Sequence, residues 1–378
     1  MKKAKAKKQR VSAVELPQDA VVEILSRLPV KTLLRFKCVC KLWNSLISDP
    51  NFVLSTSGRE RIIVRSYSEP MSFYSIDDEF SVVKLPIPHV EYLDDSDKFK
   101  FLGSCNGLVL FLADEHLYLW NPLTNSCRLM PQLNDLVGKL NSRYPMSCGF
   151  CFDKSSDDYK VVTVTMVHTG GGINSSVYVA SLKEGKMPME FSIPYRFSYS
   201  YPHVLEEHLH WIVKEKIGSA QLILYFDQEA NQFRELSLPD DHEYGDAVSV
   251  YYFGFTILDG CLCISRHLNH DATDVLIMRE YGVKHSWTRL FTLRGHFVPL
   301  HARISDNLAL VTDHEYLYTY KSQNKYTGKI KGQADQHHQR RYYLRNKACE
   351  KIKYGSVALK IKADPLKYME SLASVDSI

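Results

Sequence analysis

The run Leu117-Tyr-Leu-Trp-Asn-Pro-Leu-Thr-Asn-Ser-Cys-Arg-Leu-Met-Pro131 returns farther along the chain as Leu222-Ile-Leu-Tyr-Phe-Asp-Gln-Glu-Ala-Asn-Gln-Phe-Arg-Glu-Leu-Ser-Leu-Pro239. Each copy is a short apolar strand ending in an aromatic residue, an Asx-containing turn, and a second stretch that closes on proline or leucine. A third variation is Val275-Leu-Ile-Met-Arg-Glu-Tyr-Gly-Val-Lys-His-Ser-Trp-Thr-Arg-Leu290. Around these, apolar or alternating runs bounded by Asn, Asp, Gly and Pro read as strands at 107–112, 160–167, 176–182, 208–213 and 261–265. No amphipathic helical pattern interrupts residues 61–320. Strand-built repeats of roughly 35 to 45 residues point to propeller blades, because each repeat must bury both faces against its neighbours. The pattern predicts about six blades, with a weak first one over 62–87.

Residues 16–54 read differently. Val21, Val22, Ile24, Leu25 and Leu28 trace one helical face, Leu33, Leu34 and Phe36 a second, and Val39, Leu42, Trp43, Leu46 and Ile47 a third. Pro29 ends the first segment and Asp49-Pro50 stops the last, so three short helices are expected. Of these 39 residues 21 are apolar, more than so small a unit can bury within itself. The excess must lie against the β body or in the groove of a partner, and periodicity does not choose between the two.

The string Leu16-Pro17, Ile24-Leu25, Leu28-Pro29, Leu33-Leu34, Val39-Cys40-Lys41, Trp43, Leu46-Ile47 and Pro50-Asn51-Phe52 closely resembles an F-box. The resemblance implies a three-helix module that docks onto a Skp-type adaptor, which binds a cullin scaffold carrying the ubiquitin-transfer machinery. It places adaptor contacts at Leu16, Pro17, Ile24, Leu25, Leu28, Pro29, Leu33, Leu34, Val39, Cys40, Lys41 and Trp43, some of which must instead form the module's own core. In the body, Ser104-Cys-Asn-Gly-Leu-Val, Trp120-Asn-Pro, Leu209-His-Trp211, Phe226-Asp-Gln, Leu258-Asp-Gly-Cys-Leu-Cys and Met278-Arg-Glu-Tyr-Gly-Val-Lys-His-Ser-Trp287 resemble the plant F-box-associated domain. That resemblance implies a kelch-like propeller that captures a protein target, and Tyr368-Met-Glu-Ser-Leu372 is similar to its closing strand. The chain departs from true kelch repeats, since Gly-Gly doublets do not recur.

The expected fold is therefore a small all-α three-helix F-box followed by an all-β domain, a β-propeller of about six blades. The divisions are a basic tail over 1–12, the F-box over 14–56, the propeller-like domain over 60–320, a basic insertion or linker over 321–364, and the closing strand and C-terminus over 365–378.

Composition narrows the function classes. With 378 residues, 45% of them apolar, the chain can build large cores, and its apolar runs fall well short of the roughly 20 residues of a membrane span. The net charge of +4 hides six basic residues in 1–10 and ten basic against two acidic in 321–353, around an acidic remainder. Such segments read as solvated extensions, an import signal or a nucleic-acid contact; the last is the weakest reading and requires steeply salt-dependent binding. The absence of an apolar run after residue 10 argues against a secretory signal. Nine cysteines, an odd number spread along the chain from Cys38 to Cys349, suit free thiols in a reducing compartment better than a disulfide framework. The expected location is the nucleus and/or cytoplasm, with no membrane partner.

Catalytic chemistry finds no candidates. Cys148-Gly-Phe-Cys151 lacks a second matching pair, and Cys38-Val-Cys40 and Cys261-Leu-Cys263 have spacings that grip one ion poorly, so no metal is assigned. Residues 203–208 are one position too long for an inverted zincin motif. Phosphate loops and nucleophile elbows are absent from the sequence, and no cofactor is expected. Tyr195, Phe197, Tyr199 and Tyr201 alternate with Arg196, Ser198 and Ser200, giving one aromatic face. It reads either as packing within a blade or as a target-binding stripe carried by Tyr195, Arg196, Tyr199 and Tyr201. Residues 168–176, with three glycines, read as a long mobile loop.

The functional expectation is a substrate-recognition subunit of a Skp-cullin-F-box ubiquitin ligase, non-catalytic itself, with adaptor, cullin and an unknown target protein as partners. The alternatives are an F-box scaffold acting outside a cullin complex, or a propeller that binds a glycan or small ligand.

Overall fold

The structure is a computed structural model and describes residues 16–55, 58–66, 71–90, 99–133, 136, 145–169, 172–183, 188–197, 202–205, 208–215, 220–239, 252–268, 272–295, 297–303, 308–312, 316–321, 349–351, 353–354, 357–358 and 365–377. Four helices come first: α1 Gln18–Ser26, α2 Val30–Phe36, α3 Lys41–Ser48 and α4 Pro50–Ser55. The first three, each of seven residues or more, are the expected module, and the six-residue α4 is an addition to it, because Asp49-Pro50 both ends α3 and starts α4. Asp49 is extended, and its carboxylate accepts from the backbone N–H groups of Asn51 at 2.9 Å and Phe52 at 3.2 Å. Proline suits the first turn of α4, where its missing N–H costs nothing.

Val21, Leu25, Val30, Leu33, Ile47 and Phe52 form the helical core, and Leu372 from the far end of the chain is buried among them. Part of the apolar excess of this unit therefore rests on the β body. Leu25 is wholly enclosed, so Leu25→Ala is expected to cost about 3 kcal/mol, measured as the urea midpoint of the full chain. An unchanged midpoint would show that the helical unit does not share in the cooperative fold.

Six antiparallel sheets of four or five strands follow, with a two-stranded ribbon of Lys353–Tyr354 and Val357–Ala358 beside them. Blade I holds Glu60–Ser66, Ser72–Ile76 and Val82–Leu85, with Leu366–Met369 added on its other edge. Blade II holds Lys100–Cys105, Leu108–Ala113, His116–Asn121 and Ser126–Leu129, and blade III holds Pro145–Asp153, Asp158–Thr169, Gly172–Ser181 and Met189–Ile193. In blade IV two short strands, Tyr195–Phe197 and His203–Leu205, both pair with His208–Glu215, followed by Gln221–Asp227 and Gln232–Leu236. Blade V is Tyr252–Leu258, Cys261–Leu268, Ala272–Met278 and Trp287–Arg294; blade VI is Val298–Arg303, Leu308–Thr312, Leu317–Lys321 and Cys349–Lys351.

Strand alternation explains how these sheets become a ring. In Leu108–Ala113 every residue is buried, but Leu108, Leu110 and Leu112 enter the core shared with blade III while Val109, Phe111 and Ala113 enter the core shared with blade I. Cores of the same kind lie between III and IV around Trp211, between IV and V around Trp287, between V and VI around Phe297 and Tyr318, and between VI and I around Val64 and Leu310. Six sheets joined by six shared cores make a six-bladed β-propeller. Ring closure comes from the C-terminus, whose strand pairs Met369 with Glu60 and Leu366 with Ile63.

Two sequence readings change here. The basic stretch 321–364 contributes the fourth strand of blade VI: Cys349 to Lys351 pair with Tyr320 to Tyr318, and Lys351 Nζ lies 3.2 Å from the centre of the Tyr316 ring. A basic side chain thereby gains an aromatic partner that charge counting could not show. Residues 168–176 are no long loop. They form the end of the blade III hairpin, with Gly172 opposite Thr169, and only residues 170–171 of that turn lie outside the described set.

The Asn-Gly and Asp-Gly pairs of the two quoted motifs are hairpin turns. Asn106 and Gly107 have φ of 49° and 81°, Asp259 and Gly260 of 51° and 70°, the left-handed pairs that match the twist of adjoining strands. Gly107 meets a second demand, since a Cβ there would lie 2.1 Å from Cβ of Ser371.

Candidate functional site

Two regions offer binding chemistry: the outer face of the helices and the axis of the propeller. Pro17 and Pro29 stand immediately before α1 and α2 in extended conformation, where their carbonyls accept from Val21 and from Thr32 and Leu33. This geometry starts each helix abruptly and leaves both prolines exposed. Among the residues read as adaptor contacts, Leu25 and Leu33 are buried in the helical core, and Leu28, Leu34 and Trp43 are half-buried against it. Leu16, Pro17, Ile24, Pro29, Val39, Cys40 and Lys41 face solvent. Leu16 and Val39 are each 58% exposed and Ile24 47%. Leu42, 50% exposed, belongs with them, while Ile47 of the same α3 stripe is wholly buried. Cys40 caps α3, its sulfur accepting from Trp43 N–H at 3.5 Å.

The axis of the propeller is a cavity of about 410 Å³ to which all six blades contribute. Lys367, on the closing strand, donates from Nζ to Glu60 Oε1 at 2.9 Å and to the Ile257 carbonyl at 2.5 Å, which ties blades I and V across the axis. His301 of blade VI adds Nδ1 at 3.1 Å from the same Glu60 oxygen. Burial opposes ionisation of Glu60, but the hydrogen bond from His301 and the charge and hydrogen bond of Lys367 outweigh it and hold the carboxyl down at about 2. His203, which lines the channel, is pushed down to about 3 by burial, with Lys367 and His210 adding to the effect. His210 is enclosed behind it and lowered to about 4 by burial.

The aromatic stripe is the interrupted inner strand of blade IV. Phe197 is buried against Trp211 and Phe233, Tyr195 is half-buried with its hydroxyl on the Glu235 carboxylate, and Arg196 points to solvent. Tyr199 and Tyr201 lie outside the described residues. Cys148 faces the core between blades II and III and Cys151 that between III and IV, so opposite faces of one strand separate the pair. Burial raises both thiols, Cys148 to about 11.

The C-terminal segment joins the two regions. Asn121, from the Trp-Asn-Pro motif, is buried and donates from Nδ2 to the carbonyls of Ser371 at 3.0 Å and Ala373 at 2.8 Å, while its Oδ1 accepts from Leu123 and Thr124. Glu370, also buried, sits 2.6 Å from Nε of Arg61 and 4.0 Å from Nζ of Lys31 on α2. The signal was present in the sequence as the recurring aromatic-Asx step, but nothing local shows that its partner lies 250 residues away.

Comparison with known proteins agrees with this architecture. Residues 14–55 match the F-box domain, and residues 62–375 match the F-box associated beta propeller domain. The chain is 30% identical over 312 residues to the F-box protein CPR1 of Arabidopsis thaliana, covering 74% of this chain and 73% of that one. It is 29% identical over 310 residues to the F-box/kelch-repeat protein At3g23880 of the same plant, covering 76% and 82%. Four helices with an exposed apolar face, a six-bladed ring closed by the last strand, and these matches over nearly the whole chain carry one conclusion: it belongs to the F-box proteins with an F-box associated β-propeller domain.

Proposed function

We propose that this chain is the substrate-recognition subunit of a Skp-cullin-F-box ubiquitin ligase, acting in the nucleus and/or cytoplasm. Its helical face holds the Skp-type adaptor, the adaptor brings the cullin, and the propeller holds a target protein. The observation that carries this reading is the division of apolar residues in the helical unit. Leu25, Leu33 and Ile47 are enclosed, and the remaining rows of Leu16, Ile24, Val39 and Leu42 stay in contact with water. Monomeric surfaces seldom leave several large apolar side chains so exposed on one small unit, and helices of this kind bind by laying such a face against a partner. The chain then works by proximity, raising the effective concentration of target lysines near a charged ubiquitin carrier. It needs no catalytic side chain of its own.

The test is recovery of adaptor and cullin by the full chain beside the double variant Leu16→Ala with Pro17→Ala. Both residues are exposed, so the melting temperature is expected to hold while adaptor affinity falls by about thirtyfold or more, the scale of an interface hot spot. Adaptor recovered without cullin supports the scaffold reading in place of the ligase. Unchanged binding by the variant would remove the helical face from the argument.

A further inference from the structure

We propose that the central channel of the propeller is a binding site for an uncharged, largely apolar small molecule that carries a hydroxyl group. Its volume of about 410 Å³ falls within the range of small-molecule sites. The walls are mostly carbon, with Phe150, Pro202, Leu209, Phe255, Leu300 and Leu366 contributed by five different blades. Structural filling of a propeller axis needs only such side chains. This channel instead carries an ion pair on its wall, with Glu60 37% exposed and hydrogen-bonding capacity left over.

That capacity sets the chemistry of the ligand. Both contacts to Glu60, from Lys367 and His301, go to Oε1, and Oε2 receives no hydrogen bond among the described residues. The Lys367 ammonium has three protons, and among the described residues two are accounted for, by Glu60 and the Ile257 carbonyl. A free acceptor therefore stands next to a free donor, and a hydroxyl is the smallest group that satisfies both at once. A charged ligand is disfavoured because Glu60 and Lys367 already neutralise each other at 2.9 Å, and burial keeps His203 uncharged. A carboxylate or ammonium entering such walls would lose its water with no counter-charge waiting. The site is separate from the adaptor-facing helices, so it stands or falls independently of the ligase reading.

Three naphthalene probes separate these features: naphthol, unsubstituted naphthalene and naphthoate. Titrated into the full chain at neutral pH, naphthol is expected to bind once per chain, with naphthalene weaker and naphthoate weaker by about tenfold or more. Val204→Trp or Leu300→Trp, which fills the channel, is expected to abolish naphthol binding while the melting temperature holds. Since either variant can misfold, wild-type chain is also photolabelled with an uncharged azidonaphthol. Attachment within 202–205, 254–257, 298–300 or 365–369 supports the site. Attachment to residues 16–55, naphthoate binding as tightly as naphthol, or naphthol binding undiminished in a folded filled-channel variant would overturn it.

Discussion

A chain that stops at Pro365 is expected to lose its cooperative thermal transition altogether. The thirteen residues that this removes tie several parts of the fold together. Leu366–Met369 closes the ring on Glu60–Ile63, and Tyr368 enters the core between blades I and II, where its hydroxyl lies 3.0 Å from Ser75 Oγ. Leu372 enters the helical core and Val375 the core between blades II and III. Burying Leu366, Tyr368, Leu372 and Val375 is worth about 2 kcal/mol each. Removing Glu370 strands the buried Arg61 beside Asp77, whose carboxylate is 3.9 Å away, and an imperfectly paired buried cation costs about 3 kcal/mol. The total, about 11 kcal/mol, is as large as the whole stability of a typical protein. Calorimetry of the truncated chain is the check. A melt within a few degrees of the intact protein would mean that five complete blades and three strands of blade I suffice. Asn121→Ala is the milder form of the experiment, since it leaves the carbonyls of residues 371 and 373 without their donor; about 2 kcal/mol is expected.

Mild acid is expected to destabilise the propeller steeply, through the histidines of blade IV. His210 is enclosed, with Nδ1 2.9 Å from the His208 carbonyl and Nε2 2.8 Å from the Tyr281 hydroxyl. Burial lowers its pKa from 6.5 to about 4, and that of His203 to about 3. A lowered folded pKa means that the unfolded chain takes up protons which the folded chain refuses, so stability falls as pH drops below 6.5. Each such group costs about 1.4 kcal/mol per pH unit, so His210 alone removes about 2 kcal/mol by pH 5, and His203 adds a loss of the same order. Glu60 continues the trend in a lower window: its carboxyl is held down at about 2, and the stability it contributes is lost as pH falls from 4.5 toward that value. Urea midpoints at pH 7.5 and pH 5 measure the effect, and His210→Gln should flatten it. Equal midpoints in the wild-type chain would show that the folded chain takes up these protons as readily as the unfolded one.

The runs at 107–112, 208–213 and 275–278 are readable as strand because a short apolar or alternating run bounded by turn residues is a local signal. The Asn-Gly and Asp-Gly turns were readable for the same reason, since backbone conformation at two residues is a local matter. So were α1 to α3, and with them the family resemblance. The start of α4 is not legible locally, because Asp-Pro reads as a stop for the preceding helix and only the geometry of the Asp49 carboxylate shows that it also starts the next. The end of the blade III hairpin was missed because three glycines describe what the chain can do rather than what its partner strand makes it do.

What sequence alone determined, then, is the list of elements and their order: a helical unit, repeated strands, and a closing strand. Tertiary structure alone decided the rest. It buried Leu25 and Leu33 and left Ile24 and Leu42 outside, and it seated Leu372 beneath helices that begin the chain. It also gathered Glu60, Ile257, His301 and Lys367 around one axis. Burial and charge pairing depend on residues hundreds of positions apart in the chain, and no local pattern records which distant side chain will arrive.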